Sequence, residues 1–253
     1  MSNTEYELPN ISVDVVPVTV NLDTNQLEVL VGRRIFEPYL GEYALPGVLL
    51  TPHERLVEAA TRALETKTLV KADDIVAVYD LGTFDNPDRD PRGATVSIAK
   101  IAVIAPHAVV EDERVKRITL DAVANGDEQL PFDHNTIVQA AATLFGEKFL
   151  SSKTFTKSVL GEQFTTKIVR GLLTQMGRIT TDSDHTYDAS NLTRQLKGTG
   201  WVDVVDEADS YGTSSAVYAT TAAAYDIASQ ISAALTTSTS TGRGRPSRTW
   251  TWK

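Results

Sequence analysis

The sequence predicts two domains: an α/β domain built on a mixed sheet over residues 1–130, and a mainly α domain over residues 131–253. Three observations carry this. Runs of β-branched residues surround one amphipathic helical stretch up to about Leu120. The polar segment Asn125 to Pro131 then reads as a linker. From Asp133 onward helical spacing dominates, interrupted only by short strand-like segments near Trp201 and Trp250. A chain of 253 residues with 42% hydrophobic content is long enough to fill two modest cores.

Ile11 to Leu22 is rich in valine and threonine, and Asp23 to Asn25 turn the chain into a second strand at Gln26 to Arg34, so the first domain opens on a hairpin. The loop from Ile35 to Tyr43 leads into an extended segment at Ala44 to Leu50. Thr51 and Pro52 then introduce a helix from about His53 to Thr66, with Leu56, Ala59, Ala60, Ala63 and Leu64 on one side and Glu58 paired with Arg62 one turn on. Strands at Ile75 to Phe84, Thr95 to Ala105 and Arg114 to Leu120 complete the sheet.

In the second half Asp133 is placed to N-cap a helix from His134 to Phe145. Helices at Ser152 to Leu160, Thr165 to Met176 and Ala189 to Gly198 follow, the last closed by Gly198 and Gly200. Helices in this order, followed by strands, are the arrangement of a winged helix-turn-helix. Between the strand-like segments, Val217, Ala224, Ile227, Ile231 and Leu235 keep to one side of a helix, which predicts a helical insertion near residues 211–236 that packs on its own domain or on a second copy.

The absence of cysteine excludes disulfides and thiolate metal sites. The N-terminus has no basic or apolar leader and no apolar run reaches membrane length, so a soluble, cytoplasmic protein without a membrane partner is expected. A net charge of −9 opposes binding to nucleic acid. Its distribution softens the objection, because Lys153, Lys157, Lys167, Arg170, Arg178, Arg194, Lys197, Arg243, Arg245, Arg248 and Lys253 concentrate in the second domain.

The stretch from Ala44 to Val70 resembles a Nudix box, a pattern of Gly, five residues, Glu, seven residues, then Arg-Glu-aliphatic-any-Glu-Glu-any-Gly-aliphatic. Val48 takes the first Gly position, Glu54 the Glu and Arg62 the Arg; Ala63, Thr66 and Lys67 replace the three glutamates of the second segment, and Leu69 replaces its Gly. Those glutamates are the metal ligands of the family, so the resemblance implies a pocket without the anionic cluster that magnesium needs. Two flanking segments extend the likeness: Leu27 to Gly47, with its arginine pair and EPYLGEYALPG, and Asn86 to Gly93, the string NPDRDPRG. Together with Phe132-Asp133-His134, Phe155 to Gly177, Tyr187 to Val202 and Gly242 to Trp252, these segments resemble the Nudix-related transcriptional regulators of NAD metabolism, which join a non-hydrolysing, ADP-ribose-sensing Nudix domain to a winged helix.

That resemblance implies ligand contacts from Arg33, Arg34, Asp88, Arg89, Asp90 and Arg92, since guanidiniums in a Pro- and Gly-shaped loop suit a pyrophosphate. A salt-bridge network in which Asp88 or Asp90 locks the arginines is an equal reading of the same loop. Lys67 would neutralise the pyrophosphate where catalytic relatives use a metal, or is a solvated helix lysine. For DNA, Asn191, Arg194, Gln195 and Lys197 have the spacing of a recognition-helix face, and Arg243, Arg245 and Arg248 belong to a wing suited to a narrow minor groove. The expectation is therefore a homodimeric, ligand-responsive regulator of a double-stranded DNA operator that binds an ADP-ribose-like nucleotide, with no catalytic residue, metal or cofactor. The alternatives are a nucleotide-sequestering protein without DNA binding, and a divergent Nudix pyrophosphohydrolase using Glu54, Glu58 or Glu65.

Overall fold

The computed structural model of the chain describes residues 8–108, 111–177, 188–205 and 247–253. Two compact units emerge: one holds the residues up to Val159 and the segment beginning at Gly171, the other Leu160–Arg170 and the C-terminal residues. Arg243, Arg245 and the expected insertion near residues 211–236 lie outside the described residues.

The first unit is built on β1 (Asn10–Asn21), β2 (Gln26–Arg33), β3 (Tyr43–Ala44), β4 (Gly47–Leu49), β5 (Ile75–Phe84), β6 (Thr95–Ile104) and β7 (Val115–Thr119). The sheet runs β3-β2-β1-β6-β5, with β4 added to β1 and β7 to β2. β1 and β6 are parallel and the other pairs antiparallel, so the sheet is mixed, as the sequence predicts. β1 is its centre: Ser12 through Val20 are buried, which its near-continuous apolar run requires of a strand covered on both faces. On one face Val13, Val15 and Leu30 pack against Ala59, Ala60, Ala63 and Leu64 of α1 (Leu56–Thr68). The alanines let helix and sheet approach closely, and burial of Leu64 alone contributes about 1.5–3 kcal/mol.

α1 starts three residues after the expected His53. His53 stands at φ 69°, outside the helical region, and the first turn is closed at Arg55, whose backbone N–H donates to Glu58 Oε2 at 2.8 Å. Glu58 is thereby taken, and Arg62 pairs with Glu54 instead of with Glu58.

The expected linker is tied down. After β7 comes α2 (Leu120–Ala124), and Asn135 gathers the following segment by donating to the carbonyls of Val123 (2.9 Å) and Glu128 (2.7 Å) and accepting from the Leu130 N–H (2.8 Å). α3 (His134–Lys148) and α4 (Lys153–Leu160) cover the second face of the sheet, where Tyr79 of β5 meets Phe155 at 5.0 Å and Phe155 meets Phe145 at 5.3 Å. This packing draws α3 and most of α4 into the same compact unit as the sheet. Asp133 precedes α3 as expected, yet its side chain makes no capping bond, because another partner holds it.

In the second unit β8 (Gln163–Thr165), β9 (Val202–Val204) and β10 (Thr249–Trp252) form an antiparallel sheet with β10 in the middle. β8 was not expected; the two strand-like segments near Trp201 and Trp250 do pair with each other. Trp250 is fully buried and its indole N–H donates to Thr166 Oγ1 at 2.9 Å, at the start of α5 (Thr166–Gln175). α6 (Ala189–Gly198) is N-capped by Asp188, which accepts the Asn191 N–H at 2.7 Å, and is held by buried Leu192 and Leu196. Among the described residues no helix is long and apolar enough to cross a membrane.

Candidate functional site

A pocket of about 150 Å³ opens in the first unit where β1, β4, the end of α1, the β5–β6 loop and the start of α3 converge. It gathers Arg34, Lys67, Arg89, Asp90 and Arg92 of the expected ligand residues. Arg33 and Asp88 are not part of it. Arg33 is exposed and donates to the Gly41 carbonyl at 3.2 Å, and exposed Asp88 uses its backbone N–H to close the loop on Asn86 Oδ1 at 3.0 Å.

Each cation is positioned by its element. Arg34 follows β2, and its guanidinium donates to the Pro38 carbonyl (2.7 Å) while lying 4.7 Å above the Phe132 ring. Burial and the neighbouring Arg92 charge hold its pKa below the ordinary value. Lys67 is set by a close approach between β2 and α1: a Cβ on Gly32 would stand 2.4 Å from the Lys67 carbonyl oxygen, so only glycine lets the strand pass. Arg92 is bidentate with Asp90, at 2.9 and 2.7 Å, which is the locked-loop arrangement foreseen for Asp90. Burial works to raise the Asp90 carboxyl, but bonds from Arg92 outweigh it and leave the pKa below the ordinary range.

Arg89 is different. Its side chain is only 4% exposed, and it reaches across the fold to Asp14 of β1 (2.9 Å) and to Asp133 before α3, donating through Nε and Nη2 to the latter at 2.9 Å. A further bond from Nη1 goes to Ser12 Oγ at 3.3 Å. Burial opposes its charge, and the two carboxylates more than restore it, so its pKa is raised. Beside this cluster His134 is buried and accepts the Leu45 N–H on Nδ1 at 3.0 Å; desolvation pushes its pKa down, which keeps the ring neutral. Ser12, Asp14, Phe36, Phe132 and His134 are thus pocket residues that sequence reasoning did not assign to the ligand. The signal for Asp14 was available: an aspartate inside a buried valine run needs a partner.

The face of α1 that the Nudix-box resemblance gives to a divalent ion does not suit one. Glu54 is held by Arg62 at 2.7 and 2.8 Å, and these bonds with those from Thr51 depress its pKa to about 2. Glu58 closes the helix start, Thr66 donates to the Arg62 carbonyl at 2.6 Å, and Glu65 is exposed. Among the described residues no group of three or more His, Asp or Glu side chains could hold a metal ion.

In the second unit Arg194, Gln195 and Lys197 are exposed along α6, whereas Asn191 is half-buried and in contact with Arg194. Arg248 is exposed at the start of β10, and its carbonyl accepts the Thr166 N–H at 3.1 Å.

No protein-family model matches the chain. Over 115 residues the sequence is 32% identical to the ADP-ribose pyrophosphatase of Methanocaldococcus jannaschii, a match that takes in 44% of this chain and spans 64% of the length of that relative. The structure is similar to a MutT/nudix family protein from Enterococcus faecalis, with a TM-score of 0.64, 24% identity, and coverage of 82% of this chain and 87% of that one. It is also similar to Shewanella oneidensis NrtR in complex with a 27mer DNA, with a TM-score of 0.63 and 23% identity, over 96% of this chain and 93% of that one. The mixed sheet carrying α1 on one face and α3 and α4 on the other is a Nudix (MutT) fold.

Proposed function

We propose that this chain is a ligand-responsive transcriptional regulator, binding ADP-ribose or a related nucleotide through a non-hydrolysing Nudix unit and DNA through a C-terminal winged helix. One observation carries the first half: the pocket keeps four cations, Arg34, Lys67, Arg89 and Arg92, against three carboxylates, Asp14 and Asp90 in its lining and Asp133 bonded to Arg89, and α1 gathers no carboxylate cluster for a metal. Anionic oxygens are what such a surplus of positive charge attracts, and bidentate guanidinium bonds suit a pyrophosphate. The pocket is smaller than the roughly 300–1,000 Å³ of a drug-sized site, so it fits the phosphate portion, and the rest of a nucleotide extends past its rim at Phe36. Arg34 and Lys67 meet the ligand first, while Arg89 and Arg92 enter with carboxylates already bound and take a ligand oxygen pair only by releasing one.

The DNA half is supported by α6, with exposed Arg194, Gln195 and Lys197, followed by the β9–β10 pair, and by the fold likeness to Shewanella NrtR crystallised with DNA. In this reading the domains divide at residues 130 and 131, and a homodimer reads a two-fold operator. The name of the Methanocaldococcus relative favours a second reading, pyrophosphate hydrolysis. Calorimetry with ADP-ribose in magnesium and in EDTA, alongside a DNA shift assay with and without the nucleotide, separates the two. Metal-independent binding, no product and a nucleotide-sensitive shift are expected; metal-dependent turnover abolished by Glu54→Gln or Glu65→Gln overturns the proposal.

A further inference from the structure

We infer that Asp133 is a switch between the pocket and α3: it holds Arg89 when the pocket is empty and moves to cap α3 when a ligand phosphate takes Arg89. The inference rests on the nucleotide-binding reading above and concerns how that same site is regulated.

A guanidinium has five N–H donors. In Arg89 four are engaged, two by Asp133, one by Asp14 and one by Ser12. A ligand oxygen pair at this residue must therefore displace a carboxylate. Asp14 is fixed, since it packs so tightly on β4 that a Cβ on Gly47 would stand 2.0 Å from its Oδ1, and Ser12 donates to it as well. Asp133 is the more exposed of the two, 14% against 8%, and belongs to a loop end.

Asp133 also has somewhere to go. It occupies the N-cap position of a helix of 15 residues whose first turn receives no side-chain cap. An aspartate at that position accepts a free first-turn N–H once its backbone is extended. Here the backbone stands at φ −95°, ψ 22° instead, and the preceding Phe132 is at φ 62°, a left-handed conformation unfavourable for a bulky residue. The Arg89 bond and the packing of Phe132 against Tyr39 (4.8 Å) hold the segment in this state. Two competing partners for one carboxylate, with a local backbone change between them, form the bistable element that a ligand needs in order to act at a distance.

Removing the Asp133 charge leaves Arg89 and Asp14 as a neutral pair, so Asp133→Asn and Asp133→Ala preserve a matched core. The full chain and both variants are titrated by calorimetry with ADP-ribose and, as a minimal probe, inorganic pyrophosphate, and thermal unfolding confirms that each is folded. Amide hydrogen exchange is followed at Asn135 and Thr136, the N–H groups that an N-cap side chain at Asp133 can reach. Both variants should bind about tenfold more tightly, the scale of one charge-assisted hydrogen bond no longer in competition. Ligand should slow first-turn exchange severalfold in the parent and leave it unchanged in Asp133→Ala. Equal affinities in all three proteins, or no ligand-induced protection in the parent, overturn the switch alone. Failure of all three to bind either probe overturns the nucleotide-binding reading together with it.

Discussion

Arg89 faces more negative charge than it can balance, one guanidinium against the carboxylates of Asp14 and Asp133, both at 2.9 Å. Its removal would leave two poorly solvated anions side by side, and breaking a buried charge network in this way costs about 3–5 kcal/mol. Arg89→Ala should therefore lower the urea midpoint by that amount of stability; a loss below about 1 kcal/mol would mean that water compensates the carboxylates. His134 sets a pH dependence. Burial holds its pKa below the ordinary 6.5, so the unfolded chain takes up a proton where the folded chain does not. The stability that its neutral form contributes is whole above about pH 6.5 and is lost as the pH falls through that value and on through the folded pKa. Denaturation series between about pH 8 and pH 5 should show this slope in the parent and a flatter one in His134→Asn. Identical slopes would show that the ring is solvated.

At the scale of elements, the fold of the first unit depends on close approaches that only glycine allows. Gly32→Ala would drive a methyl to within 2.4 Å of the Lys67 carbonyl, which belongs to backbone and has little freedom to give. The expected cost is about 1–3 kcal/mol, with weakened ADP-ribose binding because Lys67 leaves the pocket. Unchanged affinity in a destabilised but folded variant would remove Lys67 from the ligand set. The hairpin of β1 and β2, α1, β5 and β6 were legible because each is long enough for its periodicity to show. α2 and β8 were not: each has five residues or fewer, and partners remote in sequence decide their state. The site divides in the same way. Asp90 and Arg92 sit in one recognisable loop, whereas the partners of Arg89 lie 75 and 44 positions away and are joined to it only by sheet order. Asp133 carries a local signal for capping that a remote ion pair overrides.

For the molecule as a whole, an acidic chain of net charge −9 that binds DNA must do so through a local surface, so its affinity should fall steeply with salt. In a shift assay Lys197→Ala should weaken all sequences alike, while Arg194→Ala should cost about 1–3 kcal/mol at a preferred site and relax its selectivity. If neither variant changes retardation at low salt, α6 is not the reading helix. The distribution of tryptophan offers an independent view. All three, Trp201, Trp250 and Trp252, belong to the second unit, while the pocket with Phe36 and Phe132 lies in the first. The chain is in this sense optically lopsided: all its strongest emitters belong to the unit that contributes nothing to the lining of the pocket.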